Sequence, residues 1–174
     1  MNGSALELVA GSPAVADGDA PDVLVIGVGN LLMGDEGVGV HILRTLESGP
    51  AIPGVQFLDG GTGGINLLEC IGRAPVIVMI DATRDGPPAG TVTRLRPAEV
   101  ADIPRGLSAH DFGLRDLFAA AALLGQFPVI HLYTISVETI HPMCLDLSPA
   151  VNAAMPPVAD AVRRLLAELT AGGG

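Results

Sequence analysis

Apolar positions along the chain fall into two alternating kinds of segment. Residues 22–28, DVLVIGV, form a short run rich in β-branched side chains, the pattern of a strand buried on both faces. Residues 36–48 place Val38, Ile42, Leu43 and Leu46 at helical spacing and stop at Ser48-Gly49-Pro50. GVQFLDGGTGG (54–64) reads as a second strand entering a flexible turn, and INLLECIGR as a short helix. PVIVMIDA (75–82) is a third strand, apolar until it stops at an acid. Strand, helix, strand, helix, strand predicts a parallel sheet covered on both faces.

The rhythm then breaks. Only TRDGPPAG separates the third strand from TVTRLRP (91–97), too few residues for a crossover helix, so the fourth strand is predicted to run antiparallel. A Pro-containing loop (98–107) leads to Ser108, which opens SAHDFGLRDLFAAAALLGQ, an Ala/Leu-rich helix with Gly125 near its end. FPVIHLYTISV (127–137) is a fifth buried strand. Residues 148–169 open on Ser148-Pro149 and carry Val158, Val162, Leu165, Leu166 and Leu169 on one stripe. Pro156 and Pro157 are expected to divide this segment into a first turn and a main helix. The whole predicts one α/β domain over residues 22–170, preceded by a disordered Ala/Gly/Asp-rich leader over residues 1–21.

Composition narrows the chemistry. No segment approaches the ~20 apolar residues of a membrane span, and the first 20 residues lack the basic charge of a signal peptide, so a cytoplasmic protein without a membrane partner is expected. A net charge of −10 argues against a nucleic-acid partner. All nine basic residues are Arg, which excludes a P-loop lysine, a Schiff-base lysine and a Ser-Lys dyad together. Cys70 and Cys144 show no paired-ligand spacing, and Cys70 within NLLECIG suits an inert buried thiol.

Ligands of open α/β sheets bind beyond the carboxyl ends of the strands. The polar residues expected there are Asp35 and Glu36 after the first strand, Asp59 and Asp81 where the second and third strands end, and His110 at the beginning of the helix that follows the fourth. The Gly-rich turn GVGNLLMGDEGVGV (27–40) matches only part of a dinucleotide fingerprint, because Leu32 stands where the third glycine belongs. Acids at the helix start would also repel a pyrophosphate, so no nucleotide cofactor is expected. Asp35 reads as the helix cap. Asp81, directly after VIVMI, would be drawn inside, where a carboxylate needs a cation, a helix terminus or a hydrogen bond. His41 falls on another helix face than Glu36, His131 reads as a hydrogen-bonded core histidine, and Glu138 with His141 forms a weaker candidate pair. Carboxylates with an imidazole make a mixed oxygen and nitrogen set suited to nickel, zinc or manganese. There is no GxSxG elbow and no plausible cysteine nucleophile.

GVGNLLMGDEGVG, LDGGTGG, VMIDA, SAHDFGL and LSPAV, in this order and spacing across residues 22–169, resemble the hydrogenase maturation proteases. The resemblance implies a three-layer α/β/α sandwich with a five-stranded, mostly parallel sheet. It also implies an endopeptidase that removes a C-terminal peptide from the precursor of a nickel–iron hydrogenase large subunit once nickel is inserted. The family's metal-contacting residues correspond to Glu36, Asp81 and His110, and the acid of its DGGT motif to Asp59, placed behind the ligands or facing substrate. In this logic the divalent metal, nickel, arrives with the nickel-loaded precursor, and the same three residues are the catalytic set. Two departures bear on specificity: SVETIHPM replaces a Gly- and Pro-containing loop after the fifth strand, and Asp146 stands where a Gly often precedes Leu-Ser-Pro. The competing readings are a nickel-checking chaperone that binds the same precursor without cutting it, and a small-molecule-binding α/β protein.

Overall fold

The computed structural model describes residues 20–62, 67–98, 100–102, 114–125 and 127–171. The leader predicted over residues 1–21 therefore falls almost wholly outside the described residues, as does His110. Five strands are present: β1 (Val23–Val28), β2 (Val55–Gly61), β3 (Val76–Thr83), β4 (Val92–Leu95) and β5 (Val129–Ser136). They lie in the order β2-β1-β3-β5-β4. β1 pairs in parallel with β2 and β3, β3 pairs in parallel with β5, and β4 runs antiparallel to β5, as the short 84–91 connection between β3 and β4 predicts.

Strand alternation separates two apolar layers. Val23 and Val25 of β1, Val78 and Ile80 of β3 and Tyr133 and Ile135 of β5 pack with α1 (Val38–Glu47) and α4 (Pro149–Ala171). Leu24 and Ile26, Ile77 and Met79, and Ile130 and Leu132 face the other way, toward α2 (Leu68–Ile71) and α3 (Leu114–Leu123). The result is the expected three-layer α/β/α sandwich around a five-stranded mixed sheet.

Two local expectations are corrected. Asp35 does not cap α1: a 3₁₀ turn over Gly34–Gly37 precedes that helix, and neither its N-cap, Met33, nor that of α1, Gly37, makes a side-chain cap bond. Nor do Pro156 and Pro157 divide the last helix, which runs unbroken through both over Pro149–Ala171. Each proline lacks the N–H that would bond one turn back. The buried stripe of Val151, Ala154, Val158, Val162 and Leu165 continues on both sides of them, and its packing holds the flanking turns in one helix.

The first helix sits unusually close to the sheet. A Cβ on Gly39 would lie well inside contact distance of the Ile80 and Val28 carbonyl oxygens, and one on Gly27 would stand 2.7 Å from the Leu43 Cβ. This glycine pair performs the close helix-on-strand approach for which a dinucleotide fingerprint uses its third glycine. Leu32 in that position therefore does not prevent tight packing. It frees the turn to carry other chemistry.

Candidate functional site

The strand order defines the site. From β1 the chain goes by α1 to β2 on one side, then returns by α2 to β3 on the other side of β1. The carboxyl ends of β1 and β3 therefore flank the crevice where ligands of such sheets bind. Gly27 of β1 is in register with Ile80 of β3, so the next residue of β3, Asp81, lies beside the end of β1. The 3₁₀ turn that carries Asp35 and Glu36 leaves this same end and packs against β3.

Both acids are withdrawn from solvent. Asp81 is 0% exposed and Glu36 is 3% exposed. Asp81 lies within β3, which continues to Thr83, rather than at its last residue. By alternation it shares the face of Ile77 and Met79, the face covered by α3. The helix that follows His110 in sequence thus roofs the side of the sheet from which Asp81 projects. Among the described residues no three His, Cys, Asp or Glu side chains gather as a metal site, and His110, the third expected ligand, lies outside them. Glu36 in the turn and Asp81 in β3 each contribute a buried carboxylate, a donor type that suits a divalent cation and not a phosphate.

Asp59 lies on the α1 side of the sheet, the face opposite that of Asp81. It lies in β2, which runs on to Gly61, opposite Gly27 of β1. Its Oδ1 accepts the Gly61 N–H at 2.9 Å, and its Oδ2 stands 3.4 Å from the guanidinium of Arg44 on α1, with both side chains about half exposed. Glu138 is engaged elsewhere, its Oε1 accepting the Ala89 N–H at 3.3 Å and fastening the β3–β4 loop. His141 is exposed but lies against Gly34 of the first turn.

Two features here were not anticipated from the sequence. Asp35 Oδ1 accepts the Ser148 backbone N–H at 2.6 Å, tying the first turn to the start of α4. In addition, Thr134 and Ser136 of β5 stand opposite Asp81 and Thr83 in the parallel register, and all four are buried. Ser136 Oγ donates to Asp85 Oδ1 at 3.0 Å. The signal was the polar-every-second pattern of YTIS in an otherwise apolar strand, which marks one face as chemically different.

The histidines away from the site behave as core groups. His131 is buried on β5, where Arg94 donates toward its Nδ1 at 3.4 Å, as expected of a hydrogen-bonded core histidine. Burial and then the charges of Arg94 and Arg96 hold its pKa below the ordinary value. Burial and then Arg44 act the same way on His41.

Comparison with known proteins decides what this geometry belongs to. Residues 40–165 match the family model described as hydrogenase maturation protease. The chain is 36% identical over 151 residues to the hydrogenase 2 maturation protease of Escherichia coli K12, an alignment covering 84% of this chain and 91% of that protein. The chain belongs to the hydrogenase maturation protease family. The hydrogenase expression/formation protein HupD of Thiocapsa roseopersicina is likewise 36% identical, over 85% of this chain and 69% of its own length. Among solved structures, the hydrogenase maturating endopeptidase HybD from E. coli superposes with a TM-score of 0.76 at 34% identity, covering 84% of this chain and 92% of that one. The family is one of proteases, so this chain is a hydrolase of peptide bonds by membership. The family model begins just after the Asp35–Glu36 turn and contains Asp59, Asp81 and His110. Among the described residues no helix is long and apolar enough to cross a membrane.

Proposed function

We propose that this chain is a cytoplasmic endopeptidase that removes the C-terminal extension of a nickel–iron hydrogenase large-subunit precursor after nickel has been inserted. The observation that carries the reading is the placement of two buried acids, Glu36 and Asp81, at the β1/β3 switch point of a hydrogenase maturation protease. Glu36, Asp81 and His110 supply oxygen and imidazole donors, the set expected to meet a nickel ion carried by the precursor. A divalent ion polarises a scissile carbonyl and makes water more acidic. The carboxylates add general acid–base chemistry: a carboxylate oxygen takes the proton of the attacking water and returns it to the amide nitrogen as the C–N bond breaks. Asp59, outside the ligand set, is the acid assigned to contact with the arriving chain.

The test combines nickel-loaded precursor with wild type, Glu36→Gln, Asp81→Asn and His110→Ala and follows the precursor mass. Wild type is expected to shorten the C-terminus, and each variant to do so at least ~10²-fold more slowly. An intact precursor with wild type, or undiminished cleavage by the variants, overturns the assignment. An intact precursor held in a stable complex would instead identify a nickel-checking chaperone.

A further inference from the structure

A protease must hold its polypeptide beside the reacting groups, and exposed apolar side chains stand in the segments next to Glu36. Leu32, Met143 and Leu145 are 52%, 86% and 62% exposed, three of the seven large apolar side chains that stand out among the described residues. They come from two separate segments that backbone hydrogen bonds fasten together. The Cys144 N–H donates to the Leu32 carbonyl at 3.2 Å, and the Gly34 N–H donates to the Cys144 carbonyl at 2.8 Å. Met33 and Cys144 thereby form a one-residue parallel bridge. Leu32 is fixed further by its N–H, which donates to Asn30 Oδ1 at 3.0 Å. A few residues on, the Asp35–Ser148 bond closes the far end of the same loop.

Met143 carries the cost of this arrangement. Its φ of 61° makes it the one non-glycine residue with positive φ among those described. A long side chain disfavours that conformation, and it persists only where flanking contacts over-determine it, typically at binding surfaces. The bonded backbone holds the two segments side by side with Leu32, Met143 and Leu145 exposed on them. Exposed apolar clusters that are held out in this way mark interaction sites.

We infer that Leu32, Met143 and Leu145 form an apolar lip that grips an extended, apolar stretch of the precursor and so determines which precursor is cut. The lip is continuous with the site, because Leu32 precedes Glu36 by four residues in one turn and Met143–Leu145 is bonded to that turn. It rests on the proteolytic reading above and adds the recognition step to it. It also accounts for the departure SVETIHPM, since that segment leads directly into the lip.

The experiment uses the full chain with Leu32, Met143 and Leu145 changed to Ser singly and together, and Leu123→Ser, at the last residue of α3, as control. Steady-state cleavage of the nickel-loaded precursor is expected to show KM rising roughly tenfold per side chain lost, with kcat within about threefold. Leu123→Ser leaves KM unchanged. Substitutions at such exposed positions leave the melting temperature close to wild type, which a thermal scan checks. An unchanged KM in the triple variant, or a fall in kcat alone, overturns the lip. Binding of intact precursor to immobilised protein separates the two readings. If wild type binds without cutting, the proteolytic reading fails, and loss of that binding in the triple variant still supports the lip. Sedimentation of wild type and the triple variant checks the remaining occupant: self-association abolished by the triple substitution would make the patch a contact between copies and overturn the proposal.

Discussion

Asp35 and Ser148, 113 residues apart, are joined by a 2.6 Å hydrogen bond from the Ser148 backbone N–H to the Asp35 carboxylate. The bond ties the turn after β1 to the start of α4, and with the Leu32–Cys144 and Gly34–Cys144 bonds it fastens the segment carrying Glu36 to the loop carrying Met143. An acid that a local reading assigns to its own helix thus serves another.

This makes Asp35 a test of long-range coupling. Asp35 is buried, and the bond is charge-assisted, so Asp35→Ala is expected to destabilise the protein by about 1.5–3 kcal/mol. Asp35→Asn retains an acceptor oxygen and should cost less. Urea denaturation of the two variants measures the difference; equal losses would mean that the Ser148 bond contributes nothing.

Gly39 tests the packing that positions the site. A Cβ there meets two backbone carbonyls, of Ile80 and Val28, that cannot swing aside like a flexible side chain. Gly39→Ala should cost ~1–3 kcal/mol or more, despite alanine's higher helix propensity. Its denaturation midpoint should fall, whereas a helix limited by propensity would gain stability.

The Arg44–Asp59 pair should matter little for folding. Both side chains are about half exposed and 3.4 Å apart, so Asp59→Asn should change stability by less than about 1 kcal/mol, and less still at high salt. A marked drop in precursor cleavage by this well-folded variant, read from kcat/KM, would then report a role in the reaction rather than in folding.

His131 should give the fold a pH dependence. Burial, then Arg94 and Arg96, place its folded pKa below the ordinary 6.5. Between the folded value and 6.5 the unfolded chain binds more protons, so stability rises with pH through that window. The contribution is complete above 6.5 and is lost on acidification, with a slope of at most about 1.4 kcal/mol per pH unit for one histidine. Urea midpoints followed downward from neutral pH should fall more steeply for wild type than for His131→Gln. Some slope should survive in the variant, because His41 is shifted in the same direction.

Much of the molecule was legible in the chain. The β-branched runs VLVI, VIVMI and VIHLYTI became central strands, because nothing but burial on both faces suits such segments. The eight-residue TRDGPPAG connection sufficed to turn β4 antiparallel. Asp81 could be singled out because an acid ending an apolar strand has few places to go. The two prolines of α4 misled, since a local rule about missing N–H groups was overridden by a buried stripe that no window of that segment reveals.

The sequence by itself determined the five strands, their order along the chain, the antiparallel run of β4 and the acids within two residues of the ends of β2 and β3, since hydrophobic period, turn residues and connection length are all local quantities. Only the tertiary structure decided the rest: that Asp35 holds Ser148, that Thr134 stands opposite Asp81, and that Leu32 and Met143–Leu145 share one exposed lip. These are contacts between residues far apart along the chain. They depend on how distant segments pack together, and no spacing within one segment encodes them.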